Sequence, residues 1–164
     1  MKMRLRMTHS IFARMVADLR RPHEFAYERV GFLFCKQSRT PSGVLLLAFR
    51  YAPIRDDQYI RDESVGARFD ASSIREAMQI ALSEGVCAFH VHLHDHAGIP
   101  RLSGTDVREM QALIPCFVNV RPDKVHGALV LSSDSATANG WSSSKPQGEK
   151  VRVAVVGSTL RIFG

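Results

Sequence analysis

Short apolar runs, each bounded by a turn or a polar stretch, are the feature that most limits how this chain can fold. Runs of this length that are rich in β-branched and aromatic residues are typical of buried strands. Five such runs occur, at 30–36 (VGFLFCK), 44–51 (VLLLAFRY), 86–93 (VCAFHVHL), 126–132 (HGALVLS) and 151–157 (VRVAVVG). None approaches the roughly eighteen apolar residues of a membrane-spanning helix, so the sequence predicts no membrane span.

Amphipathic segments separate several of these runs. Residues 2–7 alternate basic and apolar side chains, as a half-buried strand does, and a helix is predicted to follow them. Two further helices are predicted, one over 73–84 that begins with a Ser73/Glu76 capping box, and one over 106–114.

This pattern of elements predicts an α/β domain, a mixed β-sheet with helices packed on it. The 164 residues show no internal repeat and no linker, so a single domain over 1–164 is expected. The polar stretch SATANGWSSSKPQGEK, within segment 133–150, is predicted to be a loop. Segment 53–70 is also polar and of low periodicity, which indicates an irregular strand or a loop.

Charge and cysteine content set limits on partners and compartment. The net charge is +6, but the basic residues are scattered along the sequence and no RNA-binding motif is present, which disfavours a nucleic-acid partner. A solvated basic surface that steers an acidic protein partner is the favoured interpretation. Three cysteines in apolar surroundings indicate reduced thiols, and with no apolar signal segment at the N-terminus they favour a cytoplasmic location.

Four of the seven histidines stand at alternate positions in the stretch FHVHLHDHAGIPRLSGTD (89–106); they are His90, His92, His94 and His96. Alternate residues of a strand share a face, so two neighbouring histidines of this set can offer their ring nitrogens to one ion. Zinc favours such nitrogen ligands together with a carboxylate oxygen, and a catalytic zinc site keeps one position for water. The stretch therefore predicts a metal site, and it leaves open which pair of histidines forms the site.

Two acidic residues complete the candidate site. Asp106 supplies a carboxylate from the start of a predicted helix, although Ser103 and Asp106 by themselves form an S-x-x-D pattern that is typical of a plain helix N-cap. Glu28 stands just before a buried strand, in ERVGFLF, and in isolation would be a solvated residue at a strand entry. Beside a metal it becomes the candidate general base, because hydrolysis needs a group that handles the proton of water.

Together these pieces resemble the JAMM motif of the JAB/MPN metalloprotease family, as found in stand-alone bacterial deubiquitinase-like members. The resemblance rests on E-x-x-G before an apolar strand (Glu28 to Gly31), H-x-H, and S-x-x-D at a helix start, in that order, and it covers roughly residues 1–132. It implies a single MPN-like domain in which two histidines and Asp106 bind zinc. It also implies that Glu28 is the general base and that Ser103 helps to hold the oxyanion.

The spacing of the motif departs from the family pattern, which usually has seven residues between the second histidine and the serine. The pair His92/His94 leaves eight residues, His90/His92 leaves ten and His94/His96 leaves six. We select His92 and His94, because His92 falls near the end of the predicted strand and His96 lies in the loop beyond it. His90 would then face the same cleft as a neighbouring group.

The function that the resemblance implies is a zinc-dependent isopeptidase or peptidase that cleaves after the C-terminal tail of ubiquitin or a ubiquitin-like protein. The implied partners are that protein as substrate and the activating-like and conjugating-like enzymes of the same pathway, which in some similar proteins serves antiviral defence. An extended tail would add to a sheet edge, for which segment 53–70 is the candidate. The alternatives are a catalytically silent scaffold of the MPN type that binds protein partners, and a nucleic-acid-linked role that rests on charge and on DNA-repair-associated relatives.

Overall fold

The structure is a computed structural model that describes residues 2–164, so Met1 of the predicted domain 1–164 lies outside it. About 40% of the residues lie in strands. The elements, in chain order, are β1 (Met3–Thr8), α1 (His9–Leu19), β2 (Val30–Thr40), β3 (Gly43–Pro53), a 3₁₀ helix (Asp56–Gln58), α2 (Ala71–Glu84), β4 (Cys87–Leu93), α3 (Gly104–Val120), β5 (His126–Leu131), β6 (Ala136–Ser142), β7 (Lys145–Val156) and β8 (Leu160–Phe163).

The sheet closes on itself. Its strand order is β1-β3-β2-β4-β5-β6-β7, and β7 returns to pair in parallel with β1, from Met3 opposite Val151 to Thr8 opposite Val156. β8 pairs with the end of β7 outside this ring. The fold is therefore a closed, mixed β-barrel of seven strands with three short helices, and the predicted fold class, an α/β domain of the MPN type with helices packed on a mixed sheet, is wrong.

The closure depends on a stretch that the sequence analysis assigned to a loop. Residues within 133–150 form β6 and the first part of β7, and β6 pairs with β5 on one side and β7 on the other. The prediction failed because β6 buries small residues, Ala136, Ala138 and Gly140, where apolar strands usually carry branched side chains. A Cβ atom at Gly140 would stand 2.8 Å from a methyl group of Val125, so the small residue is required there.

Alternation along the strands divides the apolar residues into two clusters. One fills the barrel and includes Leu5, Leu33, Val91 and Leu129, with residues of α1 packed against it. The other lies on the outer side of β2, β4 and β5, under α2 and α3. It contains Phe32, which is opposite His90 in the register. Along β4, His90 and His92 alternate with Val91, whose side chain points into the barrel. Both histidines therefore point outward from the barrel wall, towards the helices.

The predicted strands over the five apolar runs are confirmed, and the helices differ mainly in their ends. α2 begins at Ala71 with Asp70 as its N-cap, which accepts a hydrogen bond from the backbone N–H of Ser73 at 3.1 Å, so the predicted Ser73/Glu76 box is wrong. α3 continues to Val120, beyond its predicted end. Within residues 2–164 no helix combines the length and the apolarity that a membrane crossing requires.

Candidate metal centre

The end of β4 and the start of α3 bring two histidines and an aspartate together. His92 lies on β4, and His94 directly follows this strand; the backbone N–H of His94 still donates to Leu131 of β5 at 2.9 Å, which fixes its position against the barrel. Asp106 lies in the first turn of α3. The chain between them, residues 95–103, turns back so that the first turn of the helix faces the outer side of the strand.

The three side chains form a compact set of possible ligand atoms. His92 Nε2 lies 3.1 Å from His94 Nε2 and 3.3 Å from Asp106 Oδ1, while His94 Nε2 lies 3.5 Å from Asp106 Oδ2. Ligands at about 2.0–2.1 Å from a tetrahedral ion are separated by roughly 3.3 Å, so these three distances fit three corners of such a site. Two imidazoles and a carboxylate in this arrangement could hold a metal ion.

Asp106 is held in its charged form. Burial opposes ionisation, but hydrogen bonds from His92 and Ser103 outweigh it and lower the pKa of this carboxyl below its ordinary value. His92 is 1% exposed, and its Nδ1 atom has no hydrogen-bond partner among residues 2–164. A histidine that binds metal usually donates from its second nitrogen, and here the described residues supply no acceptor for that N–H.

Ser103 is the N-cap of α3. Its Oγ accepts a hydrogen bond from the backbone N–H of Asp106 at 3.1 Å, and its own N–H donates to Asp106 Oδ2 at 2.6 Å. The S-x-x-D pattern is thus a real capping box, and the same contacts orient the Asp106 carboxylate towards the histidines. A serine hydroxyl that accepts one bond still has its hydrogen to donate, so the cap leaves Ser103 able to bind a second group.

The other two histidines of the run lie elsewhere. His90 is 2% exposed, packs between the rings of Phe32 and Phe69, and has no hydrogen-bond partner for either ring nitrogen among the described residues. Burial, and then the nearby His92, lowers the pKa of His90 to about 3, so the ring is neutral. His96 is exposed and its Nδ1 lies 2.9 Å from the carbonyl oxygen of Ala97, away from the ligand set.

Glu28 shares a cavity of about 230 Å³ with His92, His94, Ser103 and Asp106. Residues 63–67 also line this cavity. The carbonyl oxygen of Gly66 accepts hydrogen bonds from the N–H groups of Tyr27 and Glu28, each at 2.9 Å, and the glycine packs directly against the Glu28 carboxylate. Segment 53–70 therefore includes a wall of the site, whereas segment 133–150 is built into the barrel.

Glu109 is a cavity residue that the sequence analysis missed. It lies three residues after Asp106 on α3, a spacing that places both side chains on one helix face, and this spacing was the available signal. Burial, followed by the charges of Asp106 and Glu28, raises the pKa of Glu109 above its ordinary value. Among the carboxyl groups that line the cavity, Glu109 therefore has a higher proton affinity than a free glutamate.

A larger cavity of about 900 Å³ adjoins the first one. Tyr27, Glu28 and His94 line both, so these residues form the boundary between the two spaces. Arg20 and Arg21 lie along the wall of the larger cavity. An extended ligand could therefore pass from the larger cavity to the ligand set.

Comparison with known proteins adds no further identification of this site. No protein-family model matches this chain, and no curated protein matches it.

Proposed function

We propose that the chain is a zinc-dependent isopeptidase or peptidase of the JAMM type, carried here on a closed β-barrel. The observation that carries the proposal is one cavity that contains His92, His94 and Asp106 together with Glu28 and Ser103. These are the residues that hydrolysis by an activated water needs: ligands for a metal, a proton acceptor and a hydroxyl donor.

Zinc suits the donor set better than a harder cation. Imidazole nitrogens favour zinc and other transition metals, while magnesium and calcium favour oxygen ligands alone. The separations of 3.1, 3.3 and 3.5 Å among the three donors fit a tetrahedral ion with one position left for water. When it is bound, zinc supplies Lewis-acid chemistry that makes water acidic near neutral pH.

Proton transfer and stabilisation of the oxyanion depend on two side chains, Glu28 and Ser103. Glu28 accepts a proton from the water that attacks the carbonyl carbon, and it returns this proton to the nitrogen of the departing amine. The Ser103 hydroxyl, which keeps its hydrogen while it caps α3, donates to the carbonyl oxygen as negative charge develops there. Glu28 stays in place because Gly66 holds its backbone N–H and packs on its carboxylate.

The size of the site supports an extended substrate. A cavity of about 230 Å³ is too small for a folded domain, but it accepts the backbone around one scissile bond, with the larger cavity beside it for the approaching chain. The flexible C-terminal tail of ubiquitin or a ubiquitin-like protein is an extended segment of this kind. We therefore assign such proteins as substrates, in a cytoplasmic pathway with activating-like and conjugating-like enzymes.

The test is to measure bound metal and cleavage in the same preparations. Wild-type protein supplied with zinc is expected to bind one ion per chain and to cleave a ubiquitin-like protein fused through its C-terminus to a reporter. Glu28→Gln should keep the metal and lose cleavage, while His92→Ala and His94→Ala should lose both. His96→Ala is the matched control, because this exposed histidine lies outside the ligand set.

Each part of the proposal can fail separately. Wild-type protein that binds no zinc would remove the metal centre. Zinc binding without cleavage of any linear fusion or lysine conjugate would leave a metal-binding protein and remove the peptidase. Loss of zinc from His90→Ala with zinc retained in His94→Ala would show that the ligand pair is His90 and His92.

A further inference from the structure

The barrel gathers basic residues that are scattered in the sequence. Five basic residues lie on the outer side of β7, β1 and β2, with β3 between β1 and β2. We call them the basic face: Arg4 and Arg6 of β1, Lys36 of β2, and Lys150 and Arg152 of β7. Arg4 stands directly opposite Arg152 in the register, and Arg6 lies beside Leu47, whose other neighbour is Lys36. The helices α2 and α3 pack over β4, β5 and β6 instead.

The strands around this face contain a single acidic residue. β1, β2, β3 and β8 contain no Asp or Glu, and the one acidic residue of β7, Glu149, forms an ion pair with Lys145 at 3.0 Å. Within residues 2–164, no ion pair joins a carboxylate to any member of the basic face. Four of the five side chains are exposed and Arg4 is half-buried, so the positive charge faces solvent.

The arrangement of these cations is unfavourable without an anion. Like charges directly opposite on neighbouring strands repel, and Arg4 and Arg152 stand in this relation. Positions two apart on a strand are separated by about 6.5 Å, and neighbouring strands by about 4.8 Å, so the four cations of β1 and β7 lie close together. Lys36 lies two strand spacings from Arg6, on the far side of Leu47. A ligand that satisfies this array must carry closely and regularly spaced negative charge.

We propose that the basic face binds the phosphate backbone of a nucleic acid. A polynucleotide carries one phosphate per nucleotide along a continuous chain, whereas the carboxylates of an acidic protein are separate flexible side chains. Three of the five cations are arginines, whose planar guanidinium binds phosphate through two parallel hydrogen bonds. Phe49 is 37% exposed beside the face, with Lys36 Nζ at 5.7 Å from its ring, and it offers a surface on which a base can stack.

The inference is independent of the proposed peptidase, because the basic face and the metal centre share no residue. Five phosphate contacts to a single strand predict a slope of about −3.5 in the logarithm of affinity against the logarithm of salt concentration. The affinity should therefore fall about a hundredfold between 50 and 200 mM salt. Binding that is insensitive to salt would contradict the proposal.

The experiment measures fluorescence anisotropy of a labelled 20-nucleotide single-stranded DNA with the full chain. The test variant is Arg6→Gln with Lys36→Gln and Arg152→Gln, all exposed residues of the basic face. The control variant is Arg61→Gln with Arg75→Gln and Arg101→Gln, which are exposed, lie outside the barrel strands and change the net charge equally. Thermal unfolding of both variants verifies that they fold.

The expected result is a salt slope that is smaller by about 2 in the test variant and unchanged in the control. No binding by the wild type at 50 mM salt would overturn the proposal, and so would equal loss in the two variants, which would indicate net charge alone. A competition experiment with polyglutamate distinguishes a nucleic acid from an acidic protein as the ligand. If it displaces the DNA as well as unlabelled DNA does at matched charge, the face is a site for acidic proteins and the nucleic-acid assignment is wrong.

Discussion

Gly66 provides the sharpest test of Glu28 as the general base, because one added methyl group would collide with it. A Cβ atom at Gly66 would stand 2.6 Å from Glu28 Oε2 and 2.7 Å from Cδ, while ordinary contact begins at 3.4 Å. The carboxylate must therefore move by about 0.8 Å in Gly66→Ala, a distance that decides catalytic alignment. The φ angle of Gly66 lies outside the left-handed region, so alanine itself introduces no backbone strain.

We expect Gly66→Ala to lower kcat on a ubiquitin-like fusion by roughly 10- to 100-fold, because a misplacement of about 1 Å has an effect of this order. Bound zinc should remain at one ion per chain, since no ligand atom is displaced. Gly104→Ala is the matched control: it makes the same change at the start of α3, where the nearest neighbouring atom, Arg108 Nη1, is 3.7 Å from the added Cβ.

Comparison of the two variants distinguishes the positioning contact of Gly66 from the catalytic role of Glu28. If Gly66→Ala keeps full kcat while Glu28→Gln is inactive, Gly66 does not position the base. If both variants keep full kcat, Glu28 has no catalytic role and the mechanism is refuted. If Gly66→Ala loses zinc, its effect reaches the ligands, and the loss of rate cannot be attributed to Glu28.

The helix cap at Ser103, the buried His126 and the metal centre each make a measurable contribution to stability. Ser103→Ala should lower stability by about 1 kcal/mol through loss of the cap, and Ser103→Asp should recover stability without recovering kcat, because a carboxylate caps the helix but has no hydrogen to donate. Burial lowers the pKa of His126 from 6.5 to about 4. The stability that neutral His126 contributes should be complete above pH 6.5 and fall by about 3 kcal/mol as the pH drops to 4, since only the unfolded chain takes up the proton. Buried His90, whose pKa is lowered to about 3, adds a fall of the same sign. Urea unfolding at a series of pH values should therefore show a shallower decrease in His126→Asn than in the wild type. Zinc at about one hundred times its dissociation constant should stabilise the fold by about 2.7 kcal/mol, and a chelator or His92→Ala should abolish that increase in a thermal unfolding scan.

The secondary structure was largely predictable, because the five apolar runs are long and rich in branched residues. The way the strands associate was not predictable. Closure of the barrel needs β6, whose buried positions are Ala136, Ala138 and Gly140, and these residues give no apolar signal. Without β6 the element pattern resembles a sheet covered by helices, which is why the fold class was wrong.

The candidate metal ligands could be predicted from the sequence, because they depend on features that are close together in the chain. Strand alternation selects histidines two residues apart, and the first turn of the helix that follows supplies the carboxylate of Asp106. The choice between His90 and His94 needed information that spacing does not contain. In the structure Phe32 and Phe69 enclose the ring of His90, whereas His94 lies past the strand end, where it can turn towards Asp106.

The position of Glu28 depends on contacts that no sequence pattern expresses. The irregular chain before β2 is held by its neighbour Arg29, which is 3% exposed and donates to the carbonyl oxygens of Arg21 at 2.8 Å and Pro22 at 2.9 Å. Arg29 also binds Asp56 at 2.6 Å, which ties this chain to the segment that leads to Gly66. Regular elements thus place the ligand atoms, while a buried guanidinium and a glycine carbonyl place the base. Because both contacts hold the chain around Glu28 and neither involves His92, His94 or Asp106, a change to either should lower the rate of cleavage while bound zinc stays at one ion per chain.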